Sequence, residues 1–450
     1  MRNLVALLLI VTLAACDSSS GISGPSPEDE TGACSNDGQK QFVLDGLYVW
    51  YLWNDLLPAN LSIDDFASPE ELVREVTLTY GPQDADGNPI DLFSSVGSLQ
   101  ADTQFFGEGR FEGFGFSWRF VDPASTEFRI TRVFSGSPAA NGGLDRGQRL
   151  LSLNGRTIAE IEAAEGVGAV FGANDTLTFE MERVDTSVFS VSITKDIVTI
   201  DPIPQWRLID QGQGVPPVGY LELSTFISTA DAEFDTAFAG FRNAGVTDVI
   251  LDLRYNGGGL VSTAELLGDF LGGDVAENLV FSRTEFNADR AAANNSTTFF
   301  ARLVNSVNLS RLVVIATRGT ASASELVTNG MISHVEVVIV GDNTFGKPVG
   351  QIGLEFCEKI LRPTSFRLAN ADGDGDYFGG LPVDCPAADD LSVPIGDDLD
   401  PNMIAAMSYL NTGACPVVAA PGGQFKAQGA MPESRPRVTG KPERDFASAY

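Results

Sequence analysis

The sequence predicts a multidomain α/β protein with a small N-terminal helical module, a β-rich middle domain and an α/β core. Three observations carry that prediction. At roughly 150 residues per domain, the 450 residues allow for three domains, and 43% apolar with 20% charged residues is the composition of a folded chain. Short strand-like runs separated by turn residues fill 107–196. From Val218 onward strand and helix patterns alternate, as in a layered fold with a largely parallel sheet. Charge narrows the function classes: 29 Lys and Arg against 60 Asp and Glu give −31, a surface that repels phosphate backbones, so no nucleic-acid partner is expected. The chain has one histidine, His334, which excludes a His-rich zinc site. No metal and no cofactor is expected.

Taken in order, the chain begins with Arg2, a ten-residue apolar run from Leu4 to Leu13, and Leu13-Ala14-Ala15-Cys16. The run is too short to span a bilayer, which takes about 20 residues, and fits an export signal over 1–15. The tetrapeptide resembles the bacterial lipoprotein box, which implies lipidation of Cys16 and a periplasm-facing, membrane-anchored protein of the cell envelope. Several acyl chains would hold it, since one chain binds only marginally. An ordinary secretory signal with an incidental cysteine is the alternative. Asp17 resembles an inner-membrane retention signal of some bacteria, and the choice between membranes stays open.

Residues 16–33, rich in Ser, Pro, Gly and acidic side chains, read as a flexible tether. The helical module follows over 34–106, with Val43, Leu47, Val49, Trp50, Leu52 and Trp53 in one helical pattern and Pro69-Glu70-Glu71-Leu72-Val73 opening a second helix. At the other end, 416–450 loses all apolar period and reads as a disordered tail. Apart from Cys16, the cysteines are Cys34, Cys357, Cys385 and Cys415, an even number in an exported chain. Of three pairings the expectation favours Cys357 with Cys385, which closes a short loop, and Cys34 with Cys415. Free buried thiols are the alternative.

In the middle domain, strands are expected over Gly113–Trp118, Phe128–Val133, Arg149–Leu153, Leu177–Val184 and Val188–Ile193. Gly113-Phe114-Gly115-Phe116, followed by Ser137 to Gly147, resembles a PDZ domain over 107–196. The resemblance implies that backbone N–H groups of Gly113, Phe114, Gly115 and Phe116 receive a peptide's terminal carboxylate while an edge strand pairs with its backbone. Gln148 stands where that family usually has Asp. Glycines that merely shape a hairpin are the plain alternative.

In the core, over 197–415, Val218–Phe226 reads as a strand, and Phe234, Ala237, Phe238 and Phe241 mark one helical face that Gly245 ends. Thr247–Leu253, Leu312–Ala316 and Val335–Val340 read as buried strands, with helices over Thr263–Leu271 and Ser322–Ser333. Chemistry in such folds gathers beyond the C-terminal ends of the strands. Ser322 sits where a strand gives way to a helix, whose N-terminus favours developing negative charge. His334 is twelve positions further on, about 18 Å along a helix at 1.5 Å per residue, so a Ser-His-Asp triad is excluded. A lysine serves as base when burial holds it neutral. Among six lysines, Lys347 alone is flanked by apolar residues and glycine; a solvated surface lysine is the alternative.

Three segments, Asp252-Leu253-Arg254-Tyr255-Asn256-Gly257-Gly258-Gly259, Thr320-Ala321-Ser322-Ala323-Ser324-Glu325 and Gly341 to Lys347, resemble in order and spacing the C-terminal processing (tail-specific) peptidases. These are Ser/Lys serine proteases with a PDZ domain ahead of a ClpP/crotonase-like α/β core. The resemblance, over about 110–355, implies an endopeptidase with Ser322 as nucleophile, Lys347 as general base and Gln351 orienting the lysine. Backbone N–H groups of Gly258 and Ala323 are candidates for the oxyanion hole. The implied partners are protein or peptide substrates with a free C-terminus. Departures are Ser333, where some members have Asp, and Pro348 in place of Gly after the lysine. Other patterns were weighed: Ser322-x-x-Glu325 as a capping box, Gly341–Lys347 as a phosphate loop that lacks its Ser or Thr, and Asp372, Asp374 and Asp376 as a calcium loop with Tyr377 in the glycine position. A peptide-binding protein without catalysis, and a glycan or lipid hydrolase lacking a Gly-x-Ser-x-Gly elbow, complete the alternatives.

Overall fold

The computed structural model describes residues 32–122 and 126–416. The expected signal, Cys16, nearly all of the tether and the tail from 417 on lie outside the described residues. Among the described residues, no helix is long and apolar enough to cross a membrane.

The N-terminal module starts with α1 (Asn36–Trp50), capped by the Ser35 side chain on Gly38 N–H, and α2 (Pro69–Tyr80), capped by Ser68 with Pro69 in its first turn. Val43, Leu44 and Leu47 of α1 pack on Leu72, Val73 and Val76 of α2. The module is not purely helical. It continues into β1 (Ser95–Ser98) and α3 (Leu99–Glu108), and β1 finds its strand partner some 260 residues away, beyond the reach of any local pattern.

The middle domain comprises β2 (Arg110–Gly113), β3 (Phe116–Phe120), β4 (Phe128–Val133), α4 (Pro138–Asn141), β5 (Arg149–Leu153), β6 (Arg156–Thr157), α5 (Ile158–Ala164), α6 (Val167–Ala173), β7 (Thr176–Glu182), β8 (Val188–Thr194) and β9 (Asp196–Thr199). Its sheet runs β3-β4-β5-β7-β8 with β6 on β5, while β2 pairs with β9 apart from it. The expected single strand Gly113–Trp118 is broken in two, because Gly115 turns the chain at φ 87° between β2 and β3. A Cβ there would stand 2.2 Å from that of Ser137. Phe114, Phe116, Trp118, Phe128, Phe171 and Phe179 fill the domain core.

The core domain is built from β10 (Gln205–Ile209), β11 (Val218–Glu222), α7 (Asp231–Ala244), β12 (Asp248–Asp252), α8 (Val261–Gly272), β13 (Val280–Phe286), α9 (Ala288–Asn294), β14 (Ser296–Phe299), β15 (Arg311–Ala316), α10 (Ala323–Ile332), β16 (Glu336–Gly341), β17 (Val349–Gln351), β18 (Leu354–Phe356), β19 (Lys359–Arg362), β20 (Thr364–Ala369), β21 (Cys385–Pro386) and α11 (Pro401–Thr412). The main sheet has the order β10-β11-β12-β15-β16-β21, and every pair in it is parallel except β10 with β11. Residues from α7, α8 and α10 pack on one face, and residues from α11 pack on the other. Coverage on both faces explains the uninterrupted apolar strands. Phe234, Ala237, Phe238 and Phe241 form the buried stripe of α7, which Gly245 ends at φ 72°. Two smaller sheets complete the domain: β14-β13-β20-β17, and β1-β19-β18, in which the N-terminal module donates β1.

The disulfides correct the expected pairing. Cys34 joins Cys357 and Cys385 joins Cys415. Cys357 lies in the turn between β18 and β19, where Phe42 of α1 stacks on Phe356 with ring centroids 4.6 Å apart, bringing the start of α1 alongside. Cys385 lies on β21 at the far edge of the main sheet, beside the end of α11. The two cysteines that are near in sequence thus belong to different sheets.

Candidate active site

The strand β15 ends at Ala316, and a braced loop carries the chain to α10. Thr320 Oγ1 donates to the Leu253 carbonyl at 2.7 Å, and Ala321 N–H donates to the Asn256 carbonyl at 3.0 Å. Ser324 Oγ donates to that same Asn256 carbonyl at 3.0 Å. These bonds fasten the serine loop to the segment that follows β12. Held between them, Ser322 adopts φ 56° and ψ −112°, a backbone conformation L-residues rarely occupy and one that persists only where the surroundings enforce it. The segment after β12 is itself pinned by a buried ion network, in which Arg254 Nη2 lies 2.6 Å from both Asp252 Oδ2 and Asp400 Oδ2.

Glu325 links the serine loop to the lysine loop. Its fully buried carboxylate accepts from Ser322 N–H at 2.9 Å and Lys347 N–H at 2.8 Å, both through Oε2, and from Gly346 N–H at 2.7 Å and Thr344 Oγ1 at 2.5 Å through Oε1. Burial pushes this carboxyl above its usual range, against the lowering effect of those four donors. Sequence reasoning saw Glu325 as half of a capping box and as the end of the Thr320–Glu325 motif, with no role of its own. Its second set of partners comes from a loop on the neighbouring strand β16, which no local motif reveals.

Lys347 Nζ donates to Gln351 Oε1 at 2.8 Å and lies 4.8 Å from the centroid of the Phe93 ring. Gln351 Nε2 donates to two carbonyls, Phe93 at 2.7 Å and Arg362 at 2.8 Å. Gly258 packs directly on the serine: a Cβ added to it would stand 2.8 Å from Ser322 Cβ and 3.0 Å from Ala323 N. Ala323 is the first residue of α10, where the helix offers its N–H no internal acceptor. Gly258 N–H, by contrast, is taken by Asn256 Oδ1 at 2.9 Å. His334 lies past the far end of α10, with Nε2 against the Val280 carbonyl at 2.8 Å, and takes no part in this cluster.

Comparison with known proteins identifies the domains that carry this arrangement. The model of peptidase family S41 matches residues 217–380, that of the S41 N-terminal domain 38–118 and that of the PDZ domain 103–182. Residues 217–380 thus match a peptidase S41 domain, preceded by matches to an S41 N-terminal domain and a PDZ domain. It is 27% identical over 254 residues to the carboxyl-terminal-processing protease of Synechocystis, a match covering 56% of this chain and 55% of that one. To carboxy-terminal processing protease CtpA of Bacillus subtilis it is 25% identical over 273 residues, covering 60% and 55% respectively. The matched region thus spans about half the length of these curated relatives. Among solved structures, an S41 protease from Bacteroides fragilis superposes with a TM-score of 0.63 at 23% identity, over 83% of this chain and 97% of that one. The photosystem II D1 C-terminal processing protease gives 0.51 at 18% identity, over 79% and 93%.

Within this S41 fold the predicted site residues fall into two groups. Gly258, Ser322 and Lys347 lie on the loops after β12, β15 and β16, Ala323 opens α10 and Gln351 ends β17; Glu325, the Lys347–Gln351 bond and the packing of Gly258 on Ser322 tie them together. Gly113, Phe114, Gly115 and Phe116 belong to the PDZ domain, where all four residues are buried and both phenylalanine rings pack into its core. The outer edge of β3, which follows that loop, has no strand partner among the described residues.

Proposed function

We propose that this chain is a Ser/Lys endopeptidase that recognises protein substrates by their C-terminal tail. One observation carries the reading: a single buried carboxylate, Glu325, holds the main chain of both Ser322 and Lys347, while the lysine's amine faces the uncharged acceptor Gln351. An amide acceptor orients the amine without the negative charge that would keep it protonated. Ser322 Oγ attacks the peptide carbonyl as neutral Lys347 takes its proton, and the resulting ammonium gives that proton to the leaving amine. Ala323 N–H at the start of α10 stabilises the oxyanion. Gly258 N–H joins it once released from Asn256 Oδ1, a rearrangement that substrate binding would drive.

The tail adds to the free edge of β3, its carboxylate held by the backbone of 113–116. The division into tether, N-terminal module, PDZ domain and core at 34, 107 and 197, export, and anchoring through a lipid on Cys16 belong to the same proposal and rest on the sequence alone. The test uses protein starting after Cys16 and an unfolded reporter with an apolar C-terminus, read by mass spectrometry beside Ser322→Ala and Lys347→Ala. Cleavage by the wild type only, weakened when the reporter's carboxylate is amidated, is expected. Tail binding without cleavage would replace the enzyme with a peptide-binding protein of the same fold.

A further inference from the structure

We infer that Phe93, in the N-terminal module, is a positioning residue for the Lys347–Gln351 pair, so that this module is part of the catalytic unit; the inference rests on the Ser/Lys reading above. A glutamine amide has two N–H donors and one carbonyl acceptor. Here both donors are used, on the carbonyls of Phe93 at 2.7 Å and Arg362 at 2.8 Å, and these oxygens can only accept. The amide therefore has one satisfied orientation, with Oε1 turned to Lys347 Nζ at 2.8 Å. A flip would set Oε1 against two carbonyl oxygens and the NH₂ against the lysine. Each carbonyl disfavours the flip, and one of the two comes from a segment more than 250 residues away in sequence.

Phe93 contributes its ring as well. The centroid lies 4.8 Å from Lys347 Nζ, and the same ring meets Phe345 edge-on at 6.2 Å, so it walls one side of the amine with apolar surface. Only 8% of Phe93 is exposed.

The segment that carries Phe93 is anchored by Asp91, a buried carboxylate accepting from Phe93 N–H at 3.0 Å, Ser94 N–H at 3.1 Å, Ser94 Oγ at 2.6 Å and Thr364 Oγ1 at 2.9 Å. Ser94 Oγ in turn accepts from Thr364 N–H at 2.9 Å. Thr364 is the residue opposite Gln351 in the β17–β20 pair. Asp91 thus ties the Phe93 segment to the strand position that faces the glutamine.

The experiment measures kcat and KM for Phe93→Leu, Phe93→Tyr, Asp91→Asn and Gln351→Ala, with melting curves, and for Asp91→Asn combined with Gln351→Ala. Phe93→Leu, which removes the ring beside Lys347, and Asp91→Asn, which loosens the segment that holds the Phe93 carbonyl, are each expected to lower kcat about tenfold or more at unchanged KM, and Phe93→Tyr, which keeps the ring, to stay within about threefold of wild type. Once Gln351 is gone, Asp91→Asn should cost nothing further in kcat, a non-additivity that a purely structural role would not produce. Wild-type kcat in Phe93→Leu and Asp91→Asn, or losses that multiply in the double variant, would overturn the inference. Cleavage surviving in Ser322→Ala or Lys347→Ala would instead overturn the Ser/Lys reading beneath it.

Discussion

Gly258 shows how closely single atoms are specified around the proposed nucleophile. Its φ of 106° lies in a region that side-chain-bearing residues rarely adopt, and an added Cβ would stand 2.8 Å from Ser322 Cβ with the Ala321 carbonyl oxygen at 2.9 Å. Neither neighbour is the end of a flexible side chain, so the serine loop itself must move. Gly258→Ala is therefore expected to lower kcat about a hundredfold or more, by analogy with the loss of one oxyanion donor, and to cost about 1 to 3 kcal/mol of stability through backbone strain. Reporter cleavage and denaturant melts measure the two effects separately. Gly257→Ala is the folding control, since a Cβ there meets nothing within 4 Å. A Gly258→Ala enzyme with wild-type turnover would remove this loop from the oxyanion site. Glu325 makes the same point with charge, because its carboxylate orders two loops at once and its role is visible only after both are folded.

Among the elements, the β18–β19 hairpin joins what the chain order separates. It follows the lysine loop, pairs with β1 of the N-terminal module and is bonded through Cys357 to Cys34. That crosslink spans 323 positions. Removing a native disulfide typically costs about 2 to 5 kcal/mol. Cys34→Ser with Cys357→Ser is expected to lower the melting temperature by about 4 to 20 °C at 2 to 4 °C per kcal/mol, and to loosen the N-terminal module first, read by hydrogen exchange over α1 and α2. Unchanged exchange there would mean that the packing of Phe42, Val43 and Leu47 suffices without the bond. The same hairpin marks where sequence reasoning ends. The strands β12, β15 and β16 and the helices α7 and α10 were legible because their signals are local: apolar runs, an i, i+3, i+4, i+7 stripe and a terminal glycine. The places of Ser322 and Lys347 after strand ends were legible for the same reason. β1, β18 and β19 are three or four residues long, too short for a period, and their pairing is set by contacts hundreds of residues apart. That is also why the disulfide pairing was misjudged and Phe93 carried no signal.

At the scale of the whole molecule, the PDZ domain is joined to the core by charge. Arg132 reaches Glu222 Oε1 at 2.7 Å, and Arg146 contacts Asp389 Oδ1 at 2.7 Å and the Tyr255 hydroxyl at 2.9 Å. Arg119 meets Asp389 Oδ2 at 3.1 Å. In a chain of net charge −31 these arginines neutralise acids that the contact between the two domains buries, Glu222 and Asp389. Burial alone would raise the Asp389 carboxyl, but Arg146 and Arg119, with the Tyr255 hydroxyl and Arg254, hold it below its ordinary value. A depressed carboxylate gives stability that is fully present above its unfolded pKa of about 3.9 and lost as pH falls through the folded value. Removing one partner of a buried pair typically costs about 3 to 5 kcal/mol, and Asp389→Asn removes the charge while keeping the shape. The wild type should exceed the variant by about 3 kcal/mol at pH 7 and by nearly the same at pH 5. Below pH 4 the gap should narrow, and it closes only once pH falls through the depressed folded value, where the wild type loses the same charge. Urea midpoints at pH 7, 5 and 3 measure it. A gap at pH 3 undiminished from that at pH 7 would show that the variant fails through lost hydrogen bonds, and that the ionic contact between PDZ domain and core contributes little to holding them together.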